Sequence, residues 1–175
     1  AAAFRANPCL VWEWYAWRRS LVAQTAPNPG HHALVELEQR ILEFCLITQN
    51  VDGLHQRAGS HRIIELHGNI QRSKCFDENT VVETWEGQTE IPPRCPHCGG
   101  MLRPDVVWFG ESLPPEALEA AWEAAEHCEL FLSIGTSSIV EPAASLPSLA
   151  LQSGAVVVEI NPQPTPLTRL ATYSL

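Results

Sequence analysis

The chain has 175 residues, of which 45% are hydrophobic and 18% are charged, and its formal net charge is −9. This length and composition fit a globular domain that buries an apolar core, and they exclude a chain that is disordered throughout. A nucleic-acid surface needs a basic stripe, which a chain whose single lysine is Lys74 does not offer. No apolar run reaches the ~20 residues that span a bilayer, and residues 1–5 lack the pattern of a signal peptide. We therefore expect a cytoplasmic monomer that binds neither nucleic acid nor membrane.

The first part of the chain predicts helices followed by short strands. Two Asn-Pro pairs are typical helix starts, and they predict helices over residues 8–23 and 29–40. An apolar run at 44–48 predicts a buried strand, and a short helical turn over 52–59 ends at a glycine. Residues 62–66 predict a second strand. Polar residues follow both strands directly.

Residues 70–103 differ from their surroundings. They contain few large aliphatic side chains, two closely spaced cysteines and a glycine pair, with short strand-like pieces such as 80–82. We interpret the segment as a small separate module, after which residues 106–109 return to the apolar core.

The last third has the pattern of an α/β fold. After a helix over 115–127, an apolar strand at 130–134, a helix at 142–153 and a second apolar strand at 155–160 follow in order. Continuous apolar strands joined through a helix predict a parallel pair with a right-handed crossover. The sequence therefore predicts an α/β fold.

Small and polar residues lie at the carboxyl ends of the predicted strands. These are the run 49–52 (Gln-Asn-Val-Asp), His67, the turn 135–138 (Gly-Thr-Ser-Ser) and Asn161. Ligands of open α/β sheets bind at this edge, where N–H groups and hydroxyls can face a phosphate. Taken singly, each has a structural explanation as an Asx-type turn, a structural histidine or a polar helix cap. Their conjunction favours a nucleotide site, although the fingerprint G-x-G-x-x-G is absent from the sequence.

The cysteines of the central segment have the spacing of a zinc knuckle. Cys95 and Cys98 flank a turn that ends in a glycine pair, and Cys75 precedes them. Structural zinc takes four ligands, and a second pair would need a cysteine at position 78, which is a glutamate. The sequence leaves the fourth ligand open among Glu78, Asp77, His97 and water. A metal-free, hydrogen-bonded turn is the alternative.

Tyr15 and Arg18 lie three residues apart in a predicted helix and so share a face. A phenol and a guanidinium fork together suit a carboxylate in a largely apolar pocket. The alternative is a tryptophan-rich helix on which Arg18 and Arg19 are solvated.

Several motifs, in this order, resemble those of the sirtuins, the NAD-dependent protein-lysine deacylases. They are Q-N-V-D at 49–52, E-L-H-G at 65–68, V-V-W-F-G-E at 106–111, G-T-S-S at 135–138 and Asn161. The helix sequence W-E-W-Y-A-W-R-R at 12–19 further resembles the bacterial class that removes succinyl and malonyl groups as well as acetyl.

The resemblance implies a Rossmann-like parallel sheet built from 1–69 and 104–175, with a small zinc-binding module inserted at 70–103. The zinc ligands would include Cys75, Cys95 and Cys98. NAD would contact Gln49, Asn50, Val51, Asp52, Gly135, Thr136, Ser137, Asn161, Pro162 and Gln163. An acylated lysine peptide would pair as an added strand with 106–111. The substrate would contact Tyr15, Arg18, Val106, Trp108, Phe109, Gly110 and Glu111.

The resemblance also implies the chemistry. The acyl oxygen would attack the ribose of NAD and expel nicotinamide, and the resulting alkylimidate would cyclise and hydrolyse to O-acyl-ADP-ribose. His67 would take a proton from a ribose hydroxyl, which suits imidazole because a good fraction of it is neutral at physiological pH. Tyr15 and Arg18 would bind the distal carboxylate of a succinyl or malonyl group.

Two departures from the sirtuin pattern shape the remaining expectations. Sirtuins begin with a glycine-rich segment of the form G-A-G-x-S, so we expect this chain to start after that strand and cofactor loop and to stop short of a final nucleotide-contacting segment. The cysteine that would complete the zinc site is missing at position 78. The rival functions are a plain deacetylase, in which Arg18 is structural, and a peptide-binding module without catalysis.

Overall fold

The computed structural model describes residues 1–83, 85 and 89–175. The chain forms two compact units, Ala1–Leu113 and Pro114–Leu175. The grouping of 1–69 with 104–175 around an inserted module stays a prediction. The N-terminal unit contains the helices α1 Ala2–Ala6, α2 Pro8–Ala23, α3 Pro29–Arg40 and α4 Leu54–Ala58, and the strands β1 Leu46–Thr48, β2 Ile63–Glu65, β3 Gly68–Cys75, β4 Val81–Val82 and β5 Leu102–Val106.

The predicted starts of α2 and α3 are confirmed, and side chains explain them. The Asn7 carboxamide accepts the N–H of Leu10 at 3.1 Å. Asn28 caps α3 by accepting the N–H of His31 at 3.1 Å, and His31 Nδ1 accepts the N–H of Asn28 at 3.2 Å. Each cap satisfies a backbone donor that has no partner inside the helix.

Helix α1 was not predicted, because nothing in its local sequence marks a helix start. Its five residues carry Phe4, which is 1% exposed. The Phe4 ring lies 4.9 Å from the ring centroid of Phe76 and 5.6 Å from that of Trp108. Burial of one aromatic ring by distant segments therefore decides this helix, and so short a helix needs such packing.

Strands β1 and β2 of the N-terminal unit pair in parallel. Leu46 pairs with Ile63 and Thr48 with Glu65. The N–H of Leu66 donates to the Thr48 carbonyl at 3.0 Å, just beyond the end of β2. The carboxyl ends of β1 and β2 are therefore adjacent, which brings the run 49–52 beside His67.

A three-stranded antiparallel sheet, in the order β4-β3-β5, follows this pair. Three residues of this sheet, Cys75, Val82 and Leu102, form a buried cluster with Trp12 and Cys95, and Trp85 packs against it. Val106, at the end of β5, is buried, but Phe109 is 98% exposed. The prediction that 106–109 returns to the core is therefore wrong for Phe109, because the chain leaves the sheet after Val106 and turns.

The C-terminal unit is a small parallel α/β unit. Helix α5 Pro115–His127 leads to β6 Leu130–Ile134, a 3₁₀ turn Ala143–Ser145 and α6 Leu146–Gln152, followed by β7 Val156–Ile160 and β8 Tyr173–Ser174. Strand β6 pairs with β7 and β7 with β8, both in parallel. The predicted parallel pair joined through a helix is confirmed. None of the helices in the described chain has the length and apolar content to cross a bilayer.

Candidate functional site

His67 is held in place by one hydrogen bond of its backbone and one of its side chain. The chain turns at Gly68 with φ 77°, and the N–H of Val107 donates to the His67 carbonyl at 3.0 Å. The ring Nδ1 of His67 lies 3.0 Å from the carbonyl oxygen of Gln49. Because a carbonyl can only accept, Nδ1 carries the proton and the lone pair lies on Nε2. The half-buried imidazole is thereby oriented to accept a proton at Nε2.

A charged network anchors the strand end that carries His67. Glu65 accepts hydrogen bonds from the amides of Gln56 at 2.6 Å and Asn69 at 2.7 Å. Arg72 bridges Glu65 at 2.7 Å and Asp105 at 2.9 Å. Burial alone would lower the pKa of Arg72, but its bonds to Asp105 and Glu65 raise that pKa, so the guanidinium stays charged. Apart from the alternation of charged residues along β3, no pattern in the sequence indicates this network.

The run 49–52 adopts the turn that was one of its two interpretations. The N–H of Asn50 donates to Thr48 Oγ1 at 3.1 Å, and the N–H of Leu54 donates to Asp52 Oδ1 at 2.9 Å. The Val51 carbonyl accepts the N–H of Ile70 at 2.7 Å. Asp52 therefore forms an Asx-type turn before α4, and the run is held beside His67 by its own hydrogen bonds.

The Glu111 carboxylate holds the segment after β5 in a turn. Glu111 binds the guanidinium of Arg103 in a bidentate pair at 2.5 and 2.9 Å and accepts the N–H of Trp108 at 3.0 Å. Arg103 in turn stacks on the Trp108 ring, 3.3 Å from its centroid. Burial would raise the pKa of Glu111, but the hydrogen bonds from Arg103 and Trp108 lower it. The motif did not reveal this pairing of Glu111 with Arg103. Phe109 and Gly110 (φ 85°) form the exposed tip of the turn.

Helix α2 brings Tyr15 next to this segment. The indole N–H of Trp108 donates to the Tyr15 hydroxyl at 2.9 Å. Since an indole N–H only donates, the hydroxyl accepts here, and its own hydrogen remains for another acceptor. Arg18 is exposed over the ring of Trp14 at 5.2 Å, and across residues 1–83, 85 and 89–175 it has no carboxylate within salt-bridge distance.

Arg19, by contrast, is not solvated. Its guanidinium donates to the Ile70 carbonyl at 2.5 Å and to Ser73 Oγ at 3.1 Å. The alternative in which both arginines of α2 are solvated is therefore wrong for Arg19. Of the two, Arg18 is the exposed one.

The three predicted metal cysteines lie together with a carboxylate. Cys75, Glu78, Cys95 and Cys98 place their ligand atoms within 4.8 Å of one another, and the sulfurs of Cys75 and Cys98 are 3.4 Å apart. Zn–S bonds of about 2.3 Å put tetrahedral ligands roughly 3.8 Å apart. The donor set and its spacing therefore fit a structural zinc ion.

Adjacent thiolates at this site would concentrate negative charge. The N–H of Cys98 lowers the pKa of Cys95. The N–H of Gly100 would lower the pKa of Cys98, but the adjacent thiol of Cys75 raises it to about 11. Neighbouring sulfurs resist joint ionisation unless a cation neutralises them.

In the C-terminal unit, the ends of β6 and β7 form a pocket of about 320 Å³. The Asn161 amide donates to the Thr136 carbonyl at 2.8 Å, which ties the two strand ends together. Predicted and unpredicted residues share its lining: Gly135, Thr136, Ser137, Asn161 and Gln163 were predicted, whereas Ile139, Pro164, Thr165 and Pro166 were not. Pro162 is not among the lining residues that the structure describes. The proline-rich run after β7 was the available signal for the missed ones.

Residues 1–142 match a protein-family model, that of the Sir2 family. A curated relative, an NAD-dependent protein deacylase of Aquifex aeolicus, is 54% identical over 170 residues, covering 97% of this chain and 71% of that protein. A solved Sir2 homologue in complex with NAD matches with a TM-score of 0.91 at 48% identity, over 99% of this chain and 68% of that chain. A Sir2 protein bound to acetylated peptide matches with a TM-score of 0.85 at 35% identity, over 98% of this chain and 74% of that chain. The family-model match over residues 1–142 and the relative that is 54% identical over 97% of this chain show that this chain belongs to the Sir2 family.

Proposed function

We propose that this protein removes acyl groups from protein lysines in an NAD-dependent reaction that yields nicotinamide and O-acyl-ADP-ribose. The observation that carries the proposal is His67, whose Nδ1 faces the Gln49 carbonyl at 3.0 Å so that Nε2 is available as a base. The relative named NAD-dependent protein deacylase and the Sir2 protein bound to acetylated peptide support it.

NAD supplies the ribose that receives the acyl group and the nicotinamide that leaves. His67 takes the proton of a sugar hydroxyl at Nε2. The Gln49 carbonyl continues to accept from Nδ1–H, and it therefore stabilises the imidazolium that forms. We assign the nicotinamide end to the run Gln49, Asn50, Val51 and Asp52.

The pocket of the C-terminal unit is our candidate for the adenosine-phosphate part of NAD. Its lining combines the Thr136 and Ser137 hydroxyls with the Asn161 amide, groups that suit phosphate and ribose oxygens. We also assign Gly135, Pro162 and Gln163 to the adenosine-phosphate part of NAD.

Replacing His67 tests the catalytic proposal. We expect His67→Asn to lower the rate of peptide deacetylation by roughly 10²–10⁴-fold, the usual effect of a lost general base. His32→Asn removes an exposed imidazole on α3 and should leave the rate unchanged. A His67→Asn protein that deacetylates the peptide as fast as wild type would rule out the proposed base.

The preferred acyl group is, in our proposal, an acidic one such as succinyl or malonyl. The Tyr15 hydroxyl keeps a hydrogen to donate while it accepts from Trp108, and the exposed Arg18 on the same helix face can pair with a carboxylate. The peptide itself pairs with the segment from Val106 to Glu111, in which Phe109 lines the acyl-lysine site.

A comparison of acyl groups on one peptide tests this preference. We expect Arg18→Met to lower kcat/KM for desuccinylation about 10- to 100-fold, as for a lost charged hydrogen bond, and to leave deacetylation unchanged. Arg40→Met removes the same charge from an exposed end of α3 and should change neither. Equal losses for both acyl groups would instead support a plain deacetylase with a structural Arg18.

We also propose a cellular compartment and an oligomeric state for this protein. We place it in the cytoplasm because its metal cluster requires reduced thiols, and all six cysteines are free. We propose a monomer, which sedimentation of the purified protein tests directly. A stable dimer at micromolar concentration would contradict it.

A further inference from the structure

Two turns face each other at the metal cluster, and the first carries the glutamate that replaces a cysteine. The hairpin turn between β3 and β4 begins at Cys75, whose carbonyl accepts the N–H of Asn79 at 3.0 Å. Asn79 has the left-handed φ of 56° that such a tight turn needs. The N–H of Glu78 points at Cys75 Sγ from 3.4 Å. The Glu78 carboxylate also lies within 4.8 Å of the Cys75 sulfur.

The second turn repeats this arrangement with two cysteines. The N–H of Gly99 donates to the Cys95 carbonyl at 2.9 Å, and the N–H of Cys95 donates to the Gly100 carbonyl at 2.7 Å. The N–H of Gly100 points at Cys98 Sγ from 3.4 Å. Each turn therefore offers a pair of ligands three residues apart, Cys75 with Glu78 and Cys95 with Cys98.

Asp77 and His97, the other candidates for the fourth ligand, lie near the cysteines but outside this group of ligand atoms. The Asp77 carboxylate packs against Gly100 so closely that a side-chain carbon on Gly100 would overlap it. His97 is exposed at the tip of the second turn. Within the described part of the chain, the set of ligand atoms within 4.8 Å includes Glu78 and neither of these two.

We propose that Glu78 is the fourth ligand, so that this protein holds zinc through three thiolates and one carboxylate. A carboxylate oxygen is a harder and less tightly held ligand for zinc than a thiolate. The ion should therefore exchange faster than it would from a site with four cysteines, and Glu78→Cys should convert the first kind of site into the second.

The surroundings of the cluster provide an optical signal of metal binding. Cys75 and Cys95 belong to the same buried cluster as Trp12 of α2, and the Trp12 ring lies edge-on to Trp85 at 5.1 Å. Release of the metal frees both cysteines to move, so the packing around Trp12 should change with it. Tryptophan fluorescence then follows metal binding independently of any catalytic assay.

Titration of the purified protein with Zn²⁺ and with Co²⁺ tests the proposal. We expect one Zn²⁺ per chain, and a loss of Zn²⁺ affinity of about 10- to 100-fold or more in Glu78→Gln, measured by competition with a chromophoric chelator. Asp77→Asn, one residue away, should keep the wild-type affinity. Cobalt in the wild-type protein should absorb at shorter wavelength, and with weaker thiolate charge transfer, than cobalt in Glu78→Cys, whose release to chelator should be slower.

Several results would overturn the proposal. Wild-type affinity and cobalt spectrum in Glu78→Gln would mean that water, not Glu78, completes the site. A loss confined to Asp77→Asn would identify Asp77 as the ligand. A protein that binds neither ion would have no such site. Because Glu78→Cys should retain metal and fluorescence even if Glu78→Gln folds poorly, a misfolded glutamine variant does not hide the answer.

Discussion

At the scale of single residues, the position of His67 depends on the glycine that follows it. Gly68 has φ 77°, a left-handed conformation that side chains other than glycine rarely adopt. A side-chain carbon at this position would also overlap the backbone carbonyl oxygen of Asp105 on the paired strand β5. Both constraints arise because β3 starts pairing with β5 immediately after His67. The His-Gly pair of the motif is therefore a requirement of the backbone as well as of the chemistry.

Substitution of Gly68 should be more harmful than substitution of another glycine with positive φ. We expect Gly68→Ala to lower the free energy of unfolding of the N-terminal unit by more than the ~1–3 kcal/mol that the backbone conformation alone costs. Gly59→Ala, at φ 110° with only an ordinary contact at 3.8 Å, should cost no more than that strain. Urea unfolding followed by tryptophan fluorescence measures both. Equal losses would show that the overlap with Asp105 is relieved by a small shift.

At the scale of elements, strand β7 carries a buried acid that ties down the loop lining the C-terminal pocket. Glu159 is 1% exposed, and its carboxylate accepts hydrogen bonds from the hydroxyls of Thr165 and of Thr168, the latter at 2.5 Å. These hydroxyl bonds, first that of Thr165, lower the pKa of Glu159. The apolar run predicted the strand, but no local pattern predicted that its glutamate is buried and hydrogen-bonded. The hydroxyls that bind this carboxylate lie beyond the strand.

The lowered pKa of Glu159 makes the C-terminal unit sensitive to acid. A carboxyl whose pKa is lower in the folded than in the unfolded state stabilises the fold at neutral pH, and this contribution is lost as pH falls through the folded-state pKa. We therefore expect the unit to lose stability on acidification below the ordinary glutamate range, and Glu159→Gln to reduce that loss. Thermal unfolding of the region that contains α6 and β7, measured at a series of pH values from neutral to acidic, tests this loss of stability.

The matched control is Glu119→Gln, which removes an exposed carboxylate from α5. It should leave the pH dependence as in wild type. If Glu159→Gln unfolds with the same pH dependence as wild type, the hydroxyl bonds do not stabilise the ionised form.

At the scale of the whole molecule, the membership in the Sir2 family follows from ordered motifs and is confirmed by the match over residues 1–142. The α/β class and the parallel pairing of β6 with β7 are confirmed as well. These features were predictable because continuous apolar strands alternating with helices leave few alternatives. Cys95 and Cys98 were predictable as a metal pair because a Cys-x-x-Cys turn is a local pattern, whereas Cys75 was inferred only as the cysteine that precedes it.

The features that could not be predicted depend on segments far apart in the chain. Helix α1 exists because Phe4 is buried by Phe76 and Trp108. Glu111 pairs with Arg103, and Phe109 is exposed rather than buried. None of these contacts leaves a periodic or local signal, so propensity and spacing say nothing about them.

The sequence by itself determined the starts of α2 and α3, the apolar strands, the parallel pairing of β6 with β7 and the family, because each depends on chemistry within a few residues or on the order of motifs. Only the tertiary structure decided which nitrogen of His67 carries the proton, that Arg18 and not Arg19 is exposed, and that Glu78 lies among the three cysteines. Those outcomes depend on which distant groups meet, and on the donors and acceptors that they bring with them.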